Sequence, residues 1–281
     1  MTDAASPIGV FDSGVGGLTV LAALRRRLPD ETFVYLGDTA RLPYGTKTPA
    51  TVRRYAMHAA RCLAGRGVKM IVIACNTASA AAVEPLSAAP ELHGLPLVGV
   101  VQPGAAAAVA CSTNGRIAVL GTEGTVRGRA YERAIHRLRP DAVVTGRACP
   151  LFVALAEEGW TDGPVPAAVA ERYVADLVGD IDGGGHDTVV LGCTHFPILT
   201  AVIADVLARA TGNGATLVDS AETTAEVVQR RLAQTGLAAP AGRGAPQPTL
   251  LATDGAERFA TVGARFLGVS LVAADVEVVD L

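Results

Sequence analysis

Two cysteines each close an apolar run, Cys75 after MIVIA and Cys193 after TVVLG, 118 positions later. A polar pair follows each, Asn76-Thr77 in one case and Thr194-His195 in the other, and then a helix-like segment. A thiol of unperturbed pKa about 8.5 is a poor base at neutral pH, and a helix N-terminus or a basic partner makes its thiolate available. Both cysteines are expected where such helices begin. Acid–base work by a pair of thiols is one chemistry open to them. Another is a Cys193–His195 nucleophile for acyl transfer, which leaves Cys75 without a task. Structural zinc needs four ligands at C-x-x-C or H-x-x-x-H spacing, and neither pattern occurs, so no metal is expected. Cys62, Cys111 and Cys149 read as buried packing residues, the commonest state of a free cysteine.

Two further motifs begin where apolar runs end. Asp12-Ser13-Gly14-Val15-Gly16-Gly17 follows residues 8–11 and precedes an amphipathic stretch. Glycines there allow a tight turn whose amides can meet an anion at a helix N-terminus. Asp38 ends the next run where a ribose-binding acid would stand, but G-x-G-G is not the dinucleotide spacing G-x-G-x-x-G. Asp12 would also set a carboxylate beside a pyrophosphate. The second motif is GDTARLPYG, residues 37–45, in which Asp38 reads by itself as a turn or capping residue. Arg41 in the same motif reads as a surface arginine rather than a cationic clamp.

The elements that must carry these residues alternate along the chain. Strands are expected at residues 8–11, 32–37, 70–74, 97–101, 117–120, 142–145, 188–191, 215–218, 249–252 and 276–279. Amphipathic helices are expected at 18–28, 51–64, 127–138 and 221–233. Such alternation predicts an α/β fold with mostly parallel sheets. About ten strands favour two sheets in two domains over one. The runs near residues 70 and 188 are continuously apolar, as strands covered on both faces are. Gly183-Gly184-Gly185 reads as a loop, and residues 238–248 as a solvated helix-to-strand connection.

Composition excludes several classes. The 281 residues carry 24 Lys+Arg against 27 Asp+Glu, a net charge of −3 that offers nucleic acid no basic footprint. Mean hydropathy is +0.35, yet the longest stretch poor in charge, residues 95–111, holds two prolines and falls short of the ~20 apolar residues of a spanning helix. No membrane association is expected, and the N-terminus lacks the basic and apolar regions of a signal peptide. Five cysteines then read as free thiols in a reducing cytoplasm.

The strings IGVFDSGVGGLTVL, YLGDTARLPYG, IVIACNTASA and VVLGCTHFPIL, in this order and spacing, closely resemble the glutamate racemases of the aspartate/glutamate racemase superfamily. GTEGTV and CPLFVALAEEG fit the same pattern, and the resemblance spans residues 8–266. It implies two pseudo-symmetric α/β domains with the active site in the cleft between them. The first would comprise residues 1–98 and 215–281, the second 99–214. It implies a cofactor-independent enzyme that interconverts L- and D-glutamate for peptidoglycan synthesis, a cytoplasmic homodimer with no need of nucleic acid or membrane. The family's catalytic cysteines match Cys75 and Cys193, with Asp12, Asp38, Glu157 and His195 as auxiliary groups. Its substrate-binding positions match Asp12, Ser13, Tyr44, Gly45, Asn76, Thr77, Thr122, Thr125, Thr194 and His195. Ala154 and Ala156 stand where the family commonly has Pro and Val, which sets Glu157 against its neighbour Glu158 for the acidic role. Racemisation takes a proton from one face of Cα and returns one to the other, so a pair of thiols suits it. An aspartate racemase would use the same pair. An N-terminal regulatory extension is not expected, since the first strand begins at Ile8.

Overall fold

The computed structural model describes residues 3–178, 185–211, 214–244 and 246–281. The triple-glycine loop at 183–185 falls largely outside them. The described chain forms two compact units, one of Met1–Val100 with Ala221–Leu281, the other Val101–Ser220.

The first unit holds a six-stranded sheet. Its strands are β1 (Ile8–Asp12), β2 (Phe33–Gly37), β3 (Met70–Ile73), β4 (Leu97–Gly99), β9 (Thr249–Ala252) and β10 (Val276–Val278), in the order β10-β9-β2-β1-β3-β4. The second unit holds β5 (Arg116–Gly121), β6 (Val143–Ala148), β7 (Thr188–Gly192) and β8 (Thr216–Asp219), in the order β6-β5-β7-β8. Every pairing is parallel. Every residue of β1, β2, β3 and β7 is buried, the pattern of strands covered on both faces. The edge strands β6 and β10 show exposed positions instead.

The helices α1 (Leu18–Arg27), α2 (Pro49–Gly65) and α3 (Asn76–Ser87) serve the first unit. In α2, Thr48 accepts the Thr51 N–H and Pro49 takes the first turn, where no amide partner is needed. Val52, Ala56, Ala59, Ala60 and Leu63 then fall on one face and join Phe11, Leu36, Ile71 and Ile73 in a core. In the second unit, α4 (Val101–Cys111) is followed by a helix that the sequence predicts over 127–138. The structure divides that segment into α5 (Glu123–Arg127) and α6 (Ala130–Leu138). Thr122 caps α5 early, and Arg129 at φ 49 turns the chain before α6 begins. The remaining helices are α7 (Pro150–Glu158), α8 (Pro164–Val178), α9 (Thr200–Thr211), α10 (Ser220–Thr235) and α11 (Ala256–Leu267). Residues described within 236–248 link α10 to β9 and are mostly exposed, as the Pro- and Gly-rich composition predicts.

One expectation is corrected. Residues from 215 onward do not return at once to the first unit: β8 pairs with β7, and the Ser220 hydroxyl donates to the Leu191 carbonyl. The crossing back therefore lies after Ser220. At the other end, β4 pairs with β3, so the chain leaves the first unit at Val101 rather than at 99.

The orders β2-β1-β3-β4 and β6-β5-β7-β8 are the same arrangement, the chain running from a central strand to one side and then crossing to the other. Strand order reverses at that central strand, and the carboxyl ends of the strands there are the ligand-binding edge of open parallel sheets. Asp12, Asp38 and Cys75 lie at the carboxyl ends of β1, β2 and β3. Thr122, Cys149 and Cys193 lie at those of β5, β6 and β7.

Candidate active site

In the first unit Cys75 is the N-cap of α3. Its Sγ accepts the Ala78 N–H at 3.4 Å, in the place a serine or threonine oxygen usually holds. The aligned peptides of α3 direct their positive end at the same sulfur. The Ser13 Oγ lies 3.4 Å from Sγ, within reach of a hydrogen bond. Asn76 and Thr77, in the first turn of α3, are buried with the thiol.

Asp12 ends β1 fully buried, and its Oδ2 accepts the Gly14 N–H at 2.9 Å. Gly17 makes that possible. A Cβ on Gly17 would lie 2.5 Å from the Asp12 Cβ and 3.0 Å from that of Ala74. Its backbone is ordinary (φ −62, ψ −8), so the requirement is one of space. Gly17→Ala is therefore expected to displace Asp12, destabilise the protein by about 1–3 kcal/mol and lower turnover about tenfold. Denaturant unfolding and a rate assay check both.

Asp38 is buried at the end of β2, and three donors surround its carboxylate. The Tyr44 hydroxyl donates to Oδ2 in a short hydrogen bond. Thr253 Oγ1 and Arg41 Nε each donate to Oδ1 at 2.9 Å. Burial and the adjacent Asp38 push the Tyr44 hydroxyl far above its usual range, so Tyr44 stays a neutral donor. Burial, with the charges of Asp12 and Cys75 nearby, does the same to Tyr35, whose hydroxyl donates to the Gly14 carbonyl. Arg41 is thus not the surface arginine expected. Beyond its ion pair with Asp38, its guanidinium lies 4.6 Å from the centroid of the Tyr55 ring, so neither a free clamp nor a solvated side chain describes it.

In the second unit Cys193 follows β7 directly. The following helix does not start there: a short 3₁₀ turn, Phe196–Leu199, intervenes before α9. This corrects the expected equivalence of the two cysteines. Cys75 caps a helix, whereas Cys193 has a basic side chain as its partner. His195 Nδ1 lies 3.8 Å from the Cys193 Sγ and 3.5 Å from Thr194 Oγ1. Its Nε2 lies 3.2 Å from Glu157 Oε1. With Nε2–H donating to Glu157, the lone pair of Nδ1 faces the thiol. The acidic partner is thereby Glu157, on the last turn of α7, while Glu158 is exposed. Thr122 accepts the Thr125 N–H at 3.3 Å, and the two hydroxyls lie 3.1 Å apart.

Of the other thiols, Cys149 is buried as predicted, and burial pushes it up to about 12. Cys62 is partly buried. Cys111 is exposed, contrary to expectation, at the last residue of α4, although the same helix buries Val101, Gly104, Ala105 and Ala108. Thr253 is a site neighbour that no motif flagged. Among the described residues no group of three or more potential metal ligands comes together, and no helix is long and apolar enough to cross a membrane.

Residues 18–228 match the family described as Asp/Glu/Hydantoin racemase. The chain is 48% identical over 261 residues to a glutamate racemase of Geobacter metallireducens, covering 93% of this chain and 92% of that relative. It is 46% identical over 262 residues to a glutamate racemase of Neisseria gonorrhoeae, covering 93% of each. Among solved structures, the glutamate racemase of Thermus thermophilus in complex with β-chloro-D-alanine superposes with a TM-score of 0.85 at 44% identity, over 100% of this chain and 99% of that one. The glutamate racemase of Francisella tularensis in complex with D-glutamate gives 0.87 at 32% identity, over 99% and 98%.

Proposed function

Because the chain belongs to the Asp/Glu/Hydantoin racemase family and is an amino-acid racemase of the glutamate racemase kind, we propose that it interconverts L- and D-glutamate through Cys75 and Cys193. The observation that carries the reading is the placement of each thiol after the corresponding strand of two sheets with the same order. Each thiol also has its own means of managing a proton.

In this mechanism one sulfur, as thiolate, takes the Cα proton, and the other, as thiol, delivers a proton to the opposite face. Substrate of the opposite hand begins from the opposite protonation state. The Ala78 N–H and the α3 N-terminus stabilise a negative Cys75 sulfur. His195 Nδ1 can take the Cys193 proton and return it, with Glu157 holding the ring. Asp12, beside the Ala74–Cys75 corner, is proposed as the auxiliary acid on the first side. Ser13, Tyr44, Gly45, Asn76, Thr77, Thr122, Thr125 and Thr194 are proposed to bind substrate. They are hydroxyl, amide and backbone groups suited to carboxylates. The carbanionic intermediate needs no cofactor in this reading. Preorganised donors and exclusion of water must instead lower its energy. We carry forward from the resemblance a cytoplasmic homodimer that supplies D-glutamate to peptidoglycan synthesis, with sedimentation velocity as the check on assembly.

The Cys193–His195–Glu157 array also has the form of a thiol nucleophile with its base. That second reading predicts a mass increase from a trapped acyl group and leaves Cys75 idle. The deciding experiment incubates the purified protein, without added cofactor, with L-glutamate in deuterated water. Loss of optical activity with one deuterium entering Cα is expected. Folded protein that produces neither sinks the proposal.

A further inference from the structure

Asp38 is surrounded by its own unit. The loop from Gly37 to Thr46 carries Tyr44, and its course is fixed from residues 215 positions downstream. The Thr253 N–H donates to the Gly37 carbonyl at 3.1 Å, and its Oγ1 accepts the Ala40 N–H at 2.9 Å while donating to Asp38. The Asp254 N–H donates to Thr39 Oγ1 at 3.0 Å. On the other side Arg41 Nε donates to Asp38, and Arg41 is held against the Tyr55 ring, itself 5.6 Å from that of Tyr44. A buried carboxylate taking donors from a tyrosine, a threonine and a guanidinium has its acceptor capacity largely engaged.

We propose that Thr253, together with Arg41, is a positioning residue that holds Asp38 as the fixed acceptor for the Tyr44 hydroxyl, and that Asp38 acts as this anchor rather than as a proton carrier. The inference rests on the racemase reading, in which Tyr44 and Gly45 border the substrate. Thr253 touches no reacting atom in this scheme. It sets the loop that does the binding, so its loss weakens substrate binding more than the chemical step.

Thr253→Val is nearly isosteric and removes the donor to Asp38 and the acceptor for the Ala40 N–H. In racemisation of L-glutamate it is expected to raise KM about fivefold and change kcat by less than about twofold. Thr253→Ser is expected to restore KM. In a Tyr44→Phe background the same Val substitution should have almost no further effect, because both act through one hydrogen-bonded unit. An unchanged KM, failure of Ser to restore it, or independent multiplying effects in the double variant overturns the role. If circular dichroism shows Thr253→Val unfolded, Arg41→Met is read in its place: a KM rise that vanishes in the Tyr44→Phe background supports the role, and any other result overturns it. Absence of racemisation by the unsubstituted protein overturns both readings, whereas the variant results bear on positioning alone.

Discussion

Protein carrying Cys75→Ala or Cys193→Ala is expected to lose glutamate racemisation by at least ~10³-fold, the upper part of the range for loss of a general acid–base. In the proposed scheme Asp12 and His195 act through the two sulfurs, and the other described polar neighbours are poor replacements. Beside Cys75 stands the Ser13 hydroxyl, far too weak a base. In the second unit Cys149 follows the adjoining β6, but burial pushes its thiol up to about 12, so it stays protonated at neutral pH. The two variants should also differ in kind. In the proposed two-thiol scheme each retains one sulfur and with it access to one face of Cα. Each is expected to exchange the α-hydrogen of one enantiomer with deuterated solvent without inverting it, and the two should choose opposite enantiomers. Proton NMR of L- and D-glutamate incubated with each variant measures this. Such exchange also separates lost chemistry from lost folding. Near-normal turnover in either variant refutes the assignment.

Glu157→Gln is expected to lower kcat about 10- to 100-fold, with Glu158→Gln within about twofold of the parent. With His195 Nε2–H donating to Glu157, the Nδ1 lone pair faces Cys193. Glutamine preserves an oxygen that can accept the same hydrogen, so the ring need not move. What it removes is the negative charge that stabilises His195 once Nδ1 has taken the thiol proton. Glu158, one position on, is exposed and faces no such task. Steady-state kinetics of the two variants, side by side, distinguish them. Equal losses in both would remove Glu157 from the proton path.

The ten strands among the described residues were legible, β1, β2, β3 and β7 as continuous apolar runs covered on both faces and the rest as apolar stretches ended by Gly or polar residues. Which sheet a strand joins was less so. Thr216–Asp219 carries nothing that names its partner, and its pairing with β7 rather than with the first unit is a long-range outcome. The two cysteines were found from their shared strand-end context, yet the local sequence did not show that only Cys75 caps a helix. Pro197, at the start of the 3₁₀ turn, was the available sign. The partial burial of Arg41 was hidden because the Tyr55 ring it lies against meets it only in the folded unit. Residue type does not give the exposure of Cys111, and neither does helical phase, which sets it beside buried Gly104 and Ala108; its exposure comes with the end of α4. Thr253 does carry a signal in the sequence. Thr253-Asp254-Gly255 follows an apolar run, the same strand-end setting that marks Asp12 and Asp38.

The division of the chain also orders its assembly during synthesis. Val101–Ser220 is contiguous, and its four strands can pair as soon as that stretch has left the ribosome. The half that carries Cys75 cannot do the same. The outer neighbour of β2 is β9, and the hydroxyl that holds Asp38 arrives with Thr253. A nascent chain therefore presents the Cys193–His195–Glu157 array well before the Asp38 loop has its last partner. Translation pauses or truncations between residues 220 and 253 will spare the former and leave the latter without its anchor.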